Sequence, residues 1–229
     1  MYILFVHFCF TSDFKLWTVM GINAKIAAIS YLNTIPFLYG IRHEGSLCAD
    51  LLLAPPSQNV IHFIEGKVDL ALIPAAVVPT LKDAQVVTDY CIGAVGPVRT
   101  VMLVSNTPIE RVERIWLDGH SRTSVQLAGY LAQHRWKINP QWLAMDDYTM
   151  LDNPQPGDAF LIIGDKCFGY EGRFAYNYDL ASEWIAQTNL PFTFALWVAR
   201  KGLSYQVHDA LERCLTYGVE HTYEAILES

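Results

Sequence analysis

Charge is scarce in this chain. Asp, Glu, Lys and Arg make up 17% of its 229 residues, and no long Lys/Arg run occurs. With a net charge of −7, that excludes an extended nucleic-acid-binding face. It does not exclude an anionic metabolite, because local dipoles rather than net charge make an anion pocket. Cysteine is present but unorganised. Cys9, Cys48, Cys91, Cys167 and Cys214 are scattered, odd in number and never arranged as C-x-x-C. That pattern excludes a disulfide framework and reads as reduced core thiols of a cytosolic protein. No His stands out as the partner a catalytic thiol needs. No apolar run approaches the roughly 20 residues that span a bilayer. Residues 2–10 are apolar, yet they lack the basic start and small-residue cleavage site of a signal peptide. The reading is an extension over residues 1–23, with the natural chain starting near Met20; a signal or anchor is the alternative. Internal repeats and low-complexity stretches are absent.

What remains is a chain that is 52% hydrophobic, enough for one large domain or two small lobes. Residues 25–30 predict a strand, followed by a short helix from Pro36 to about Gly40, capped by Asn33 or Thr34. Residues 51–54 predict a second strand. A helix capped by Ser57 follows and closes at Gly66. Residues 68–74 predict a buried strand, and 75–81 a turn of helix. Strands at 85–90 and 98–104 flank a loop over 91–97. Beyond Pro108 come a strand at 115–117, a helical period over 124–136, and strands at 141–144 and 159–163. A helix at 179–187, a strand at 192–199 and one or two amphipathic helices over 207–227 complete the chain. This alternation predicts α/β architecture with mixed, mostly parallel sheets. Residues 24–105 with 192–229 form lobe 1, and 106–191 form lobe 2. A cleft between two lobes suits a small ligand.

Two strand-to-helix transitions carry chemistry. Ser30-Tyr31-Leu32-Asn33-Thr34 follows the first strand, and Gly119-His120-Ser121-Arg122-Thr123-Ser124 follows the strand ending at Asp118. Each puts hydroxyl and amide groups where a helix begins. Free N–H groups and the positive dipole end favour an anion there. Two such turns predict one small acid held at both ends. The ordinary alternative is N-capping, which Ser, Thr and Asn perform routinely.

Ser30-Tyr31-Leu32-Asn33-x-x-Pro36, Gly66-x-Val68-Asp69-Leu70-Ala71-Leu72-Ile73-Pro74, Gly96-Pro97-Val98-x-Thr100-Val101, Ser121-x-Thr123-Ser124, Gly164-Asp165 and Leu190-Pro191-Phe192-x-Phe194-Ala195-x-Trp197 occur in this order. The set resembles the menaquinone-biosynthesis enzymes of the futalosine route, and among them the chorismate dehydratases. The resemblance covers residues 25–203. It implies a two-lobed type II periplasmic-binding-protein-like fold and a cytoplasmic lyase with no metal or organic cofactor. The implied reaction removes water from chorismate to give 3-[(1-carboxyvinyl)oxy]benzoate. Where relatives carry Ser in Gly-Pro-Val-x-Ser, this chain has Thr100, which keeps the hydroxyl and stiffens χ1. The chain ends at Ser229, where relatives carry more helix.

On that resemblance, Asn33 and Thr100 are the catalytic candidates, contacting the ring hydroxyl or a carboxylate. Ser121, Thr123 and Ser124 are read as binding one carboxylate. Gly93, Gly96 and Pro97 shape the cleft floor, and Tyr31 and Trp197 wall the ring. Asp165 is a candidate substrate contact or base, and His120 is the one His to test. If neither is the base, a carboxylate of the substrate takes the proton. A solute-binding protein for an organic anion, a sister enzyme acting on a futalosine-derived substrate and an inactive homologue are the competing readings. Chorismate is the implied partner, with no nucleic acid and no membrane insertion. The oligomeric state is open.

Overall fold

The computed structural model describes residues 21–119, 121–145 and 147–229. The expected extension, Cys9 and His120 therefore lie outside the described residues, apart from residues 21–23. Two compact units divide the chain. One is Gly93–Phe194; the other combines residues 21–92 with Ala195–Ser229. The expected boundary at 105/106 needs correction. β5 (Val101–Ser105) pairs antiparallel with β8 (Asp158–Ile163) and β9 (Tyr176–Asp179), so its backbone belongs to the second sheet. The divisions fall inside β4 (Ala84–Ala94) and β10 (Phe192–Arg200).

The unit containing the N-terminal half is built on one five-stranded sheet. β1 (Ile22–Ala28) pairs in parallel with β2 (Leu47–Leu53) and β3 (Leu70–Pro74). β10 returns antiparallel beside β3, and the order is β2-β1-β3-β10-β4. β3 reads Leu-Ala-Leu-Ile-Pro and is buried throughout, as a strand covered on both faces must be. Helix α2 (Pro56–Ile64) shields one face, where Phe63 and Val68 meet Ala27, Ala71, Ile73 and Val198. Its start is Pro55-Pro56 rather than Ser57, because the ring of Pro56 suits a first-turn position whose N–H needs no partner. It stops where Gly66 adopts a φ of 76°, the left-handed value glycine tolerates.

Helix α1 (Ile35–His43) runs past Gly40, which the sequence reads as its end. Gly40 serves instead as a contact point with α5 (Tyr205–Glu220). A Cβ on Gly40 would lie 1.8 Å from the Cys214 carbonyl oxygen, and one on Gly218 would lie 1.9 Å from that of Pro36. Along α5, Val207, Ala210, Leu211, Cys214, Leu215 and Gly218 are buried at three- and four-residue spacing, an apolar stripe facing inward. Helix α6 (Thr222–Glu228) ends the chain.

The second unit holds the sheet β7-β6-β8-β5-β9. β6 (Arg114–Asp118) is parallel to β7 (Gln141–Met145) and to β8. Alternation sorts the β8 side chains onto two faces. Ala159, Leu161 and Ile163 meet α3 (Thr123–Leu131) and α4 (Leu180–Thr188) through Leu127, Leu131 and Leu180. Phe160 and Ile162 meet Val104, Cys167 and Phe174. α3 continues as a wider π turn over Ala132–Trp136.

Two strand readings differ from expectation. β4 continues through the predicted loop because Tyr90, Ile92 and Ala94 are buried at alternate positions. That two-residue period outweighs the breaking tendency of Gly93. β9 is absent from the sequence reading. Its Tyr-Asn-Tyr-Asp stretch lacks an apolar alternation and lies at a sheet edge. Among the described residues, no helix is long and apolar enough to cross a membrane.

Candidate functional site

In the Gly93–Phe194 unit, one edge of the sheet gathers most of the candidates. β6 and β8 are parallel, with Leu117 opposite Leu161, so Asp118 and Ile163 finish side by side. β5 runs the other way, with Val101 opposite Ile163. Thr100, immediately before β5, therefore reaches the same edge. Its carbonyl accepts the Gly164 N–H at 2.8 Å, where Gly164 has a φ of 76°. Asp165 follows, half-buried. Thr100, Asp165 and the 121–124 turn thus share the carboxyl edge of the parallel strands, where open α/β sheets bind ligands.

Asp179 sets the path of the Gly96-Pro97-Val98-Arg99-Thr100 segment. Its Oδ2 accepts the Val98 N–H at 2.8 Å and the Arg99 N–H at 2.7 Å. Its Oδ1 accepts the Ser182 N–H at 3.0 Å, capping α4. Arg99 is held at a φ of 62°, a conformation uncommon for a side-chain-bearing residue. Gly96 is half-buried and Pro97 exposed.

Ser121, Thr123 and Ser124 are all buried, but their hydroxyls do unlike things. Ser121 Oγ accepts the Ser124 N–H at 3.2 Å, an ordinary cap of the first turn of α3. Thr123 donates its hydroxyl to the Phe194 carbonyl at 2.9 Å, tying the turn to β10. The expectation that all three hydroxyls face an anion is thereby narrowed. In this structure Ser121 and Thr123 shape the turn, and Ser124 lies buried in the first turn of α3.

The other turn follows β1. Thr34 is its cap residue, and its Oγ1 donates toward the carbonyls of Ile29 at 2.5 Å and Tyr31 at 2.8 Å. Asn33 is released from capping. Its Oδ1 is buried and has no hydrogen-bond partner among the described residues. Leaving such an acceptor unsatisfied costs about 1–3 kcal/mol. Tyr31 is half-buried, its N–H on Thr34 Oγ1 at 3.2 Å. Trp197 is fully buried, edge-on to Phe37 with centroids 6.0 Å apart. It is a core residue, not a wall.

Sequence reasoning missed one polar cluster in this unit. Asp118, only 2% exposed, lies 2.7 Å from Lys166 Nζ through its Oδ2. Tyr148 donates its hydroxyl to the same oxygen and is itself in contact with Lys166 Nζ. The ammonium also sits 4.1 Å from the centre of the Tyr148 ring. An acidic residue closing a buried strand, and a Lys two positions after Gly164, were the available signals. Nothing local marked Tyr148.

The two buried thiols are inert by environment. Burial pushes Cys167 up to about 12, despite neighbouring Lys166, and burial does the same to Cys214 beside Glu44. Not all are core: Cys48 is exposed and Cys91 half-buried. Among the described residues, no group of three or more His, Cys, Asp or Glu is placed to hold a metal ion.

A family model described as menaquinone biosynthesis matches residues 24–228. A chorismate dehydratase of Thermus thermophilus is 25% identical over 189 residues, covering 75% of this chain and 68% of that protein. A solved structure from Archaeoglobus fulgidus matches with a TM-score of 0.69 at 19% identity, over 90% of this chain and 80% of that one. A Candida albicans protein described as having the generic periplasmic binding protein fold matches with a TM-score of 0.53 at 14% identity, over 90% and 75%. The fold is the periplasmic-binding-protein-like one that the resemblance implies.

Proposed function

The chain belongs to the menaquinone-biosynthesis family, and on that premise we propose that it is a chorismate dehydratase. The reaction breaks the C–H bond at the ring carbon bearing the enol ether. It also breaks the C–O bond of the neighbouring hydroxyl, forms a ring double bond and releases water. Aromatisation supplies the driving force. The protein has to hold one conformer, exclude water and accept one proton, so no cofactor is required.

The observation that carries this reading is Asn33 Oδ1, buried and without a partner among the described residues, inside the Ser30-Tyr31-Leu32-Asn33-x-x-Pro36 motif. A buried acceptor in want of a donor suits the substrate's ring hydroxyl. Thr100 is read as the hydroxyl donor that assists its departure, with Gly96 and Pro97 shaping its loop. Ser124 and the first turn of α3 are read as holding one carboxylate, in a turn shaped by Ser121 and Thr123. Tyr31 and Asp165 are read as further substrate contacts. The relative's 25% identity supports the same substrate.

The test is incubation of purified protein with chorismate alone, followed by chromatography with mass detection. The expected product is lighter by one water and has a benzoate spectrum. Asn33→Ala and Thr100→Ala are each expected to lower kcat by about 10²–10³-fold, the range for lost transition-state hydrogen bonds. Absence of turnover with thermal stabilisation by chorismate identifies a binding protein instead. Absence of both refutes the assignment.

A further inference from the structure

We propose that Lys166, oriented by Asp118 and Tyr148, is a carboxylate-binding cation at the carboxyl edge of the β7-β6-β8 strands. The identity of the carboxylate as chorismate rests on the reading above; the existence of the cation site does not. Asp118 terminates β6, Tyr148 follows β7 and Lys166 follows β8. Two loops, one after β7 and one after β8, thus converge on a carboxylate oxygen at the end of β6 between them.

The arrangement exceeds what neutralising a buried acid needs. One charge-assisted bond from Lys166 balances Asp118. Tyr148 adds a second donor to the same oxygen and lays its ring beside the ammonium, which fixes the direction of the Lys166 side chain. An ammonium has three N–H donors. Asp118 and Tyr148 engage two of them. The side chain is 30% exposed whereas Asp118 is 2% exposed, so Lys166 rather than Asp118 is the member of the pair open to solvent.

The cluster adjoins the anion-favouring turn through Asp118. The Asp118 carbonyl accepts the Ser121 N–H at 3.2 Å, so the residue that holds Lys166 also begins the turn leading into α3. A bound carboxylate would meet a directed ammonium on one side and the positive end of α3 on the other. Asp118 is the positioning residue. Its charge keeps Lys166 in place, while its burial keeps it away from an incoming anion.

The decisive variant is the double replacement Asp118→Asn with Lys166→Met. It removes both charges, preserves a partner for Tyr148 and leaves no buried acid uncompensated. The protein is expected to stay folded, with KM for chorismate raised at least tenfold and its salt dependence diminished. Lys166→Arg is expected to recover part of the loss. A wild-type KM in the folded double variant overturns the inference and leaves the dehydratase assignment standing. A second arm needs no turnover. Isophthalate, a rigid benzene dicarboxylate, is expected to raise the Tm of the wild type and not that of the double variant. That result without chorismate turnover supports the cation site and refutes the substrate. Equal stabilisation of both proteins, or none of the wild type, overturns the site.

Discussion

Gly218→Ala is expected to destabilise this protein although alanine is the better helix former. Gly218 lies inside α5, and a Cβ there would sit 1.9 Å from the Pro36 carbonyl oxygen, 2.8 Å from its carbon and 2.9 Å from Gly40 N. All three are backbone atoms of the α1 region, so no side chain can rotate away. Accommodation requires the two helices to separate by more than an ångström, which loosens the Leu211, Cys214 and Leu215 stripe. Overpacking of this kind costs about 3 kcal/mol, the upper part of its usual range. Helix propensity returns about 1 kcal/mol. The net loss is about 2 kcal/mol. With a urea m-value of about 2 kcal/mol/M, the midpoint falls by about 1 M. Gly129→Ala in α3 is the control, because a Cβ there meets nothing within 4 Å. It is expected to raise stability by up to about 1 kcal/mol. Urea unfolding followed by circular dichroism measures both. A Gly218→Ala protein as stable as the wild type refutes the close helix contact.

Two further predictions concern the loop and the thiols. Asp179→Ala removes the acceptor of three backbone N–H groups and should cost about 2–3 kcal/mol. Because the Thr100 segment loses its anchor, kcat/KM for chorismate is expected to fall as well; unchanged kinetics in the folded variant would separate that segment from the reaction. Cys167 and Cys214 have folded-state values raised to about 12 from 9.0. The unfolded thiols therefore lose protons first, and stability present below pH 9 declines as pH rises toward 12. Each thiol contributes about 1.4 kcal/mol per pH unit, a slope that Cys167→Ala and Cys214→Ala should reduce in alkaline unfolding scans. In native alkylation with mass mapping, Cys48 is expected to react while Cys167 and Cys214 resist until denaturant is added.

Local patterns carried much of the architecture. Continuous apolar runs bounded by glycine or proline marked β3 and β8, because a strand buried on both faces needs no polar residues. The three- and four-residue spacing of Leu127, Ala128 and Leu131 marked α3. The two strand-to-helix turns were legible as well, since hydroxyl and amide side chains at a helix start follow from the unpaired N–H groups there. The roles given to Asn33 and Thr100 came from ordered motifs shared with a family, which composition alone would not have singled out.

Long-range packing decided the rest. Gly40 and Gly93 carry the local marks of breakers, yet one sits at a helix contact and the other inside a strand, because partners distant in sequence set their roles. That Thr123 ties the turn down depended on Phe194, some 70 positions away. Asp118 ends β6, while Tyr148 and Lys166 belong to the segments that follow β7 and β8. Their meeting is a property of the parallel order β7-β6-β8, and no reading along one segment contains it.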